Sequence, residues 1–245
     1  MVRKILLLVA IMLGSVASAL AAESDVQLEL RYYAPQLKFT SKGIVPPQYS
    51  NFRDTLGIKN ASVPEYRLSW QDWTADYIRI RENGQAVHYV PMPQSSMPVQ
   101  LRSRLNLDYA AVSWHKDIEA SAGGSWYWLA GLRYYRFTAG LDSLGLGAYD
   151  VHYTRQLNQI APAIGLGGRH SLDAGGRSVL YTELSGLPLG GRGHLYDFDA
   201  GIDYRPLDKF KVNAGYRVLD LKINNDDGTG LYKLSGWYAG MTYSF

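Results

Sequence analysis

Three observations predict an all-β fold, a single antiparallel transmembrane β-barrel of about ten strands. Apolar and polar residues alternate with a period of two through most of the chain. The last stretch, Leu231 to Phe245, puts Trp237, Ala239, Met241, Tyr243 and Phe245 on one face and Gly236, Tyr238, Gly240, Thr242 and Ser244 on the other. The first residues, Met1 to Ala21, read as a signal peptide. Arg3 and Lys4 form its basic start, Ile5 to Leu13 its apolar run, and Ala19-Leu20-Ala21 its cleavage site. That apolar run is far short of the roughly 20 residues that cross a bilayer as a helix.

Composition agrees with this. Removing Arg3 and Lys4 from 25 basic residues leaves 23 against 22 acidic ones, so nucleic acid is not an expected partner. The chain has no cysteine, which excludes disulfides and thiolate metal sites. Nineteen tyrosines, six tryptophans and 25 glycines suit aromatic girdles and tight turns. Cleavage after Ala21 leaves residues 22–245 as one barrel domain.

The strands follow in order. Strand 1, near Val26 to Phe39, sends Leu28, Leu30 and Tyr32 out and Glu29 and Arg31 in. Ser41 to Ala61 is a long connection. Strand 2, Val63 to Trp70, sets Tyr66, Leu68 and Trp70 against Glu65 and Arg67. Strand 3, Ala75 to Val87, is expected to send Ile78 and Ile80 out and Arg79 and Arg81 in. Pro91, Pro93 and Pro98 mark Pro91 to Pro98 as loop. In strand 4, Gln100 to His115, Leu105 and Leu107 share one face and Ala110, Val112 and Trp114 the other parity, which predicts a β-bulge at Tyr109-Ala110.

Strand 5, Trp126 to Phe137, puts Trp126, Trp128, Leu132 and Tyr134 out and Arg133 in. Leu141 to Asp150 reads as loop. Strand 6, His152 to Gly168, holds Ile160, Ile164 and Leu166 outward, with Pro162 awkward for a central strand. Strand 7, Ser178 to Leu187, has Leu180 and Leu184 out and Glu183 in. Strand 8 alternates Tyr196, Phe198, Ala200, Ile202 and Tyr204 with Asp197, Asp199, Gly201 and Asp203. Strand 9 alternates Phe210, Val212, Ala214, Tyr216 and Val218 with Lys211, Asn213, Gly215 and Arg217. The polar loop Asn224 to Gly230 leads into strand 10. Its Asn-Asn-Asp-Asp-Gly run reads as hairpin-turn chemistry, because it lacks the alternating ligands of a calcium loop. Roughly eight strands result if strands 2 and 3 lie outside the membrane, and roughly twelve if a loop hides a hairpin. Short turns on one side and mostly longer loops on the other match the bacterial outer-membrane asymmetry, with the connection after strand 7 as the exception.

The run Val63-Pro64-Glu65-Tyr66-Arg67-Leu68-Ser69-Trp70, the runs Tyr196 to Pro206 and Gly215 to Lys222, and the aromatic C-terminus resemble the small outer-membrane β-barrels of Gram-negative bacteria. These are the OmpA-like and OmpX-like superfamily in the broad sense, including an uncharacterised subgroup. The resemblance covers the chain after the leader, and it implies a bacterial outer-membrane location. It implies that Trp237, Tyr243 and Phe245 form the signal read by the barrel-assembly machinery. No peptidoglycan-binding domain follows the barrel in this sequence. The expected partners are outer-membrane lipid and, during biogenesis, that machinery, with the protein a monomer of unknown extracellular ligand.

The inward charges are the main candidate constellation: Glu29, Arg31, Glu65, Arg67, Arg79, Arg104, Asp108, Arg133, Glu183, Asp197, Asp199, Asp203, Lys211 and Arg217. They could form an ion path or ligand site, or a polar plug in which carboxylates and guanidiniums satisfy one another. Small barrels fill their interior with side chains, which favours the plug. A narrow channel is the alternative. A hydrolase or lipid-modifying enzyme is a second alternative; it would need a histidine base, and His194 with Asp197, beside Tyr153 or Ser143, is the pair to test. The expectation is a non-enzymatic protein with no catalytic residues, cofactor or metal site. Its extracellular loops, Ser41 to Ala61, Arg81 to Pro98 and Leu141 to Asp150, are expected to meet any partner.

Overall fold

The computed structural model describes residues 26–42, 57–58, 62–92, 95–121, 123–144, 152–188, 190–225 and 228–245. The leader therefore lies outside the described residues, as does most of the Ser41 to Ala61 connection.

Ten antiparallel strands close into one barrel in the order β1-β10-β9-β8-β7-β6-β5-β4-β3-β2. They are β1 (Val26–Lys42), β2 (Val63–Trp70), β3 (Trp73–Met92), β4 (Ser95–Ser121), β5 (Gly124–Leu144), β6 (His152–Ser171), β7 (Ser178–Pro188), β8 (Gly193–Leu207), β9 (Phe210–Asn225) and β10 (Gly228–Ser244). Closure joins the first strand to the last, with Leu30 opposite Met241 and Tyr32 opposite Ala239. The terminal Phe245 N–H donates to the Val26 carbonyl at 3.0 Å. Closure leaves no free sheet edge in the membrane, which lipid would not tolerate.

Strand lengths are uneven. β3 to β6 rise well above the short β2 and above the β7–β8 hairpin, which turns through a 3-10 segment at Gly190–Arg192. This explains the prolines inside strands. Pro162 of β6 lies past the last β6–β7 pair, Ile164 with Gly186, so on that side no ladder bond is forfeited. Pro35 lies past the end of the β1–β2 ladder, and Pro98 past the end of the β4–β5 ladder. Residues Pro91 and Pro98, expected in a loop, instead continue the β3–β4 hairpin, opposite Ser96 and Tyr89. Of the stretches Arg81 to Pro98 and Leu141 to Asp150, residues 81–92, 95–98 and 141–144 are therefore strand rather than loop, and Pro93, Gln94 and residues 145–150 lie outside the described residues.

The outer surface has two zones. In the lower zone every strand shows lipid an apolar or aromatic column: Trp126, Trp128, Ala130, Leu132 and Tyr134 on β5, for example. At 3.3 Å per residue and a tilt near 40°, this column stands roughly 20 Å tall, close to the apolar band of such barrels. Above it the outward residues turn polar on the same parity: Arg79 follows Tyr77, Asp108 follows Ala110, Arg136 follows Tyr134, Asn158 follows Ile160 and Asp220 follows Val218.

The interior inverts at the same level. Ile78, Ile80, Leu105 and Leu107 point inward and are 1–2% exposed, packed with Leu37, Val99, Leu101, Leu141, Leu195, Leu219 and Leu234. Two expectations are corrected here. Ile78 and Ile80 face in, and Arg79 and Arg81 face out. No bulge occurs at Tyr109-Ala110, where β4 pairs with both neighbours in unbroken register; its irregularity lies between Asp117 and Glu119. The switch of apolar parity marks the strand leaving lipid for water, not a change of register.

Ile58, from the long connection after β1, bridges to Gly84 and enters this upper core. Its neighbour Gly57 has φ +66°, and a Cβ there would fall 2.3 Å from the Gln85 carbonyl oxygen. Only glycine fits that approach. At the opposite end, Asp173 closes the β6–β7 turn. The Ser178 hydroxyl and the backbone N–H groups of Arg177 and Ser178 hold its carboxyl below the usual carboxylate range.

Candidate functional site

The candidate site is the charged layer inside the lower zone. Alternation in β1, β2, β8 and β9 turns every second residue into the lumen, and in this layer those residues are mostly charged or hydrogen-bonding, with Gly201 and Gly215 leaving room for the Tyr181 and Tyr238 hydroxyls. Arg31 from β1 donates to Asp199 of β8 at 2.7 Å and contacts Glu29 on its own strand. Arg67 from β2 donates to Asp76 of β3 at 2.6 and 3.2 Å, and to Asp199 at 3.5 Å. Arg217 from β9 donates to Asp197 at 3.0 and 2.6 Å and contacts Glu65 of β2. Arg31, Arg217 and Glu65 are at most 2% exposed.

These contacts cross the barrel. Arg31 and Asp199 are separated by β10 and β9, and Arg217 and Glu65 by β10 and β1. Tyrosines complete the chords. Tyr109 of β4 donates to Asp197 at 2.7 Å, and Tyr238 of β10 donates to Asp199 at 2.6 Å and touches Tyr181 of β7. The Tyr238 ring also lies under the Arg31 guanidinium, 4.3 Å from its centroid. Arg133 of β5 donates to Ser113 at 2.8 Å and to Ser185 of β7 at 3.1 Å. Charge-assisted bonds of this kind are the stronger class, and here they draw long side chains across the axis.

Nearer the end of the barrel that carries the β6–β7 and β8–β9 turns, Lys211 donates to Asp203 at 2.8 Å. Glu183 accepts from Tyr127 at 3.2 Å and lies 3.6 Å from His115 Nε2. His115 Nδ1 is 3.4 Å from the Thr74 hydroxyl.

Of the fourteen charges expected in the lumen, the structure turns three outward. Arg79 and Arg104 keep 53% and 63% of their side chains exposed, and Asp108 bonds Arg81 at 2.7 Å on the outer wall. Their strands have left the lipid at that height, so water rather than acyl chains meets the outer face and the charges go there. The other eleven, Glu29, Arg31, Glu65, Arg67, Arg133, Glu183, Asp197, Asp199, Asp203, Lys211 and Arg217, point inward.

Asp76 joins them unforeseen. It shares a parity with Ile78 and Ile80, so placing those in lipid had placed Asp76 there too. Tyr238 was placed on the polar face of its strand but given no role, and Tyr109 and Tyr181 were missed, because aromatics in such a chain read first as girdle.

His194 and Asp197 are not a pair. His194 faces outward and bonds Asp220 at 3.2 Å, whereas Asp197 is buried inside. Odd sequence separation in a strand puts two residues on opposite faces. Ser143 is buried in the lumen, on the other side of the wall from His194. Trp237, Tyr243 and Phe245 stand outward on the apolar band, 70%, 48% and 56% exposed.

No protein-family model and no curated protein matches the sequence. Solved structures do. The outer membrane protease OmpT from Escherichia coli superposes with a TM-score of 0.57 at 12% identity, over 90% of this chain and 97% of that one. The translocator domain of the autotransporter NalP from Neisseria meningitidis covers 96% of both chains at 13% identity, with a TM-score of 0.45. At such identities the likeness to OmpT speaks for the fold alone. Closed antiparallel strands, an apolar belt and this likeness agree: the chain has the fold of the bacterial outer-membrane β-barrels.

Proposed function

We propose that this protein is a closed, non-conducting and non-enzymatic outer-membrane barrel whose role is structural or exercised through its extracellular surface. One observation carries the reading: the Arg31–Asp199, Arg67–Asp199, Arg217–Glu65 and Tyr109–Asp197 contacts run across the lumen between non-neighbouring strands. A barrel of about ten strands has a backbone radius of roughly 10 Å, so long side chains meeting at the axis leave little water-filled space. The apolar upper core lies above them as a second seal. Outer-membrane lipid is the partner of the belt. The assembly machinery is the partner of the C-terminal strand, and the barrel works as a monomer.

The test is reconstitution of purified protein into planar bilayers. The reading expects an electrically silent membrane with folded protein present. Stable single-channel steps would replace it with the narrow-channel reading.

A further inference from the structure

The arginines outside the barrel have no role in that account. On the outer wall of β3, β4 and β5, just above the lipid boundary, stand Arg79, Arg81, Arg102, Arg104 and Arg136. Antiparallel pairing sets them side by side: Arg79 opposite Asp108, Asp108 opposite Arg136, and Arg104 opposite Asn83. Two carboxylates serve this wall. Asp108 lies 2.7 Å from Arg81 and 3.6 Å from Arg79, and Asp142 lies 3.6 Å from Arg104 and 3.1 Å from His152. Arg102 stands opposite Asp142 and Arg136 opposite Asp108, but neither guanidinium forms an ion pair within 4.0 Å among the described residues. The wall is thus basic by five guanidiniums against two carboxylates.

Its height identifies the occupant. Arg79 and Arg136 are each two residues above a lipid-facing aromatic, Tyr77 and Tyr134. That step is about 7 Å along the strand, which brings the guanidiniums to the depth of lipid headgroups. Guanidinium forks match phosphate oxygens in geometry as well as charge.

We infer that the outer wall of β3–β5 is a docking surface for the phosphorylated headgroups of lipids in the surrounding outer leaflet. The lower row, Arg79 and Arg136, grips the phosphate closest to the acyl chains. The upper row, Arg102 and Arg104, meets charges farther out. The inference rests on the membrane level and not on the closed lumen, so a conducting barrel would leave it standing.

The test titrates folded protein, in zwitterionic detergent, with bis-phosphorylated lipid A, its dephosphorylated form, and soluble inorganic pyrophosphate. Folding of each variant is checked by its heat-dependent shift in electrophoretic mobility. Wild type should hold lipid A well above both others. Arg79→Gln with Arg136→Gln should weaken lipid A binding by about fivefold per arginine removed. Arg102→Gln with Arg104→Gln should weaken it less, and it stands in if the first variant does not fold. Lys38→Gln with Lys233→Gln, on the β1–β10 wall, should leave it unchanged. Equal binding of the dephosphorylated lipid, or equal loss in the lysine variant, would overturn the inference. Pyrophosphate bound as tightly as lipid A would also overturn it, by assigning the wall to a soluble anion.

Discussion

The two ends of β4 show how one strand serves two solvents. From Ala110 to Trp114 its outward residues are Ala110, Val112 and Trp114, and its inward ones Ala111 and Ser113. From Val99 to Leu107 the outward residues include Arg102 and Arg104, and the inward ones Leu101, Leu105 and Leu107. Parity does not change between them. What changes is the medium outside. Where lipid surrounds the barrel, apolar side chains face out at no cost, and the interior is free to hold a charge network. Where water surrounds it, the hydrophobic effect packs the same barrel as it packs a soluble one, with leucines inside and arginines outside. The lower half is held by ion pairs and by lipid, the upper half by an apolar core.

Several experiments would sharpen or break that contrast. The largest effect concerns assembly. Deleting Tyr243 to Phe245 removes lipid-facing aromatics together with the Phe245–Val26 closure bond, and should leave the protein in the periplasm. Heat-modifiable, membrane-inserted protein after that deletion would show that closure does not need this segment.

Next in size, Arg217→Ala strands Asp197 without a cation, leaves Glu65 with only Arg31 at 3.6 Å, and should cost about 3–5 kcal/mol in urea unfolding from lipid vesicles. Adding Asp197→Asn should recover part of the loss. Asp199 lies directly opposite Arg217 in register, but its carboxylate goes to Arg31 and Tyr238, so Asp199→Asn should not rescue it. The upper-zone counterpart, Leu105→Ala, should cost about 2–5 kcal/mol by leaving a cavity, with no second substitution in the ion network that restores it.

A smaller effect separates the two outer surfaces. Ala200→Arg or Ala214→Arg should cost about 2–4 kcal/mol in bilayers, because those positions face lipid. Thr154→Arg or Gln85→Arg, outward in the upper zone, should change stability by less than about 0.5 kcal/mol. Equal costs at both heights would remove the boundary. Gly215→Arg should be harmful in detergent as well as lipid, because even a Cβ at Gly215 would fall 2.4 Å from the Tyr238 hydroxyl.

Much of this fold was legible where strands lie almost wholly in lipid. In β8 one alternation runs through nearly the whole strand, and in β9 and β10 it holds through the lipid-facing half, so Asp197, Asp199 and Arg217 could be placed inside from parity alone. β3 and β4 misled because the reading assumed one solvent along each strand. Under that assumption Ile78 and Ile80 had to face lipid, which pulled Arg79 inward and hid Asp76. A parity switch in the hydropathy pattern has two physical causes, an inserted residue or a change of surroundings. Single-strand periodicity does not distinguish them; registering β3 and β5 against β4 does. The choice of partner within the lumen was not legible either, since Arg217 passes over the carboxylate opposite it for Asp197 and for Glu65 across the barrel.

The most direct test of the two-zone account uses single cysteines placed in turn from Arg102 to Trp114, in a chain that has none of its own. Each carries a spin label and is read against a water-soluble and a lipid-soluble relaxation agent. The account predicts that even-numbered labels respond to the aqueous agent up to Asp108 and to the lipid agent from Ala110 onward. Odd-numbered positions should be shielded from both throughout. Lipid-accessible labels at Leu105 and Leu107, with the exposed parity switching at Tyr109-Ala110, would contradict it and restore a bulged strand in lipid along its whole length.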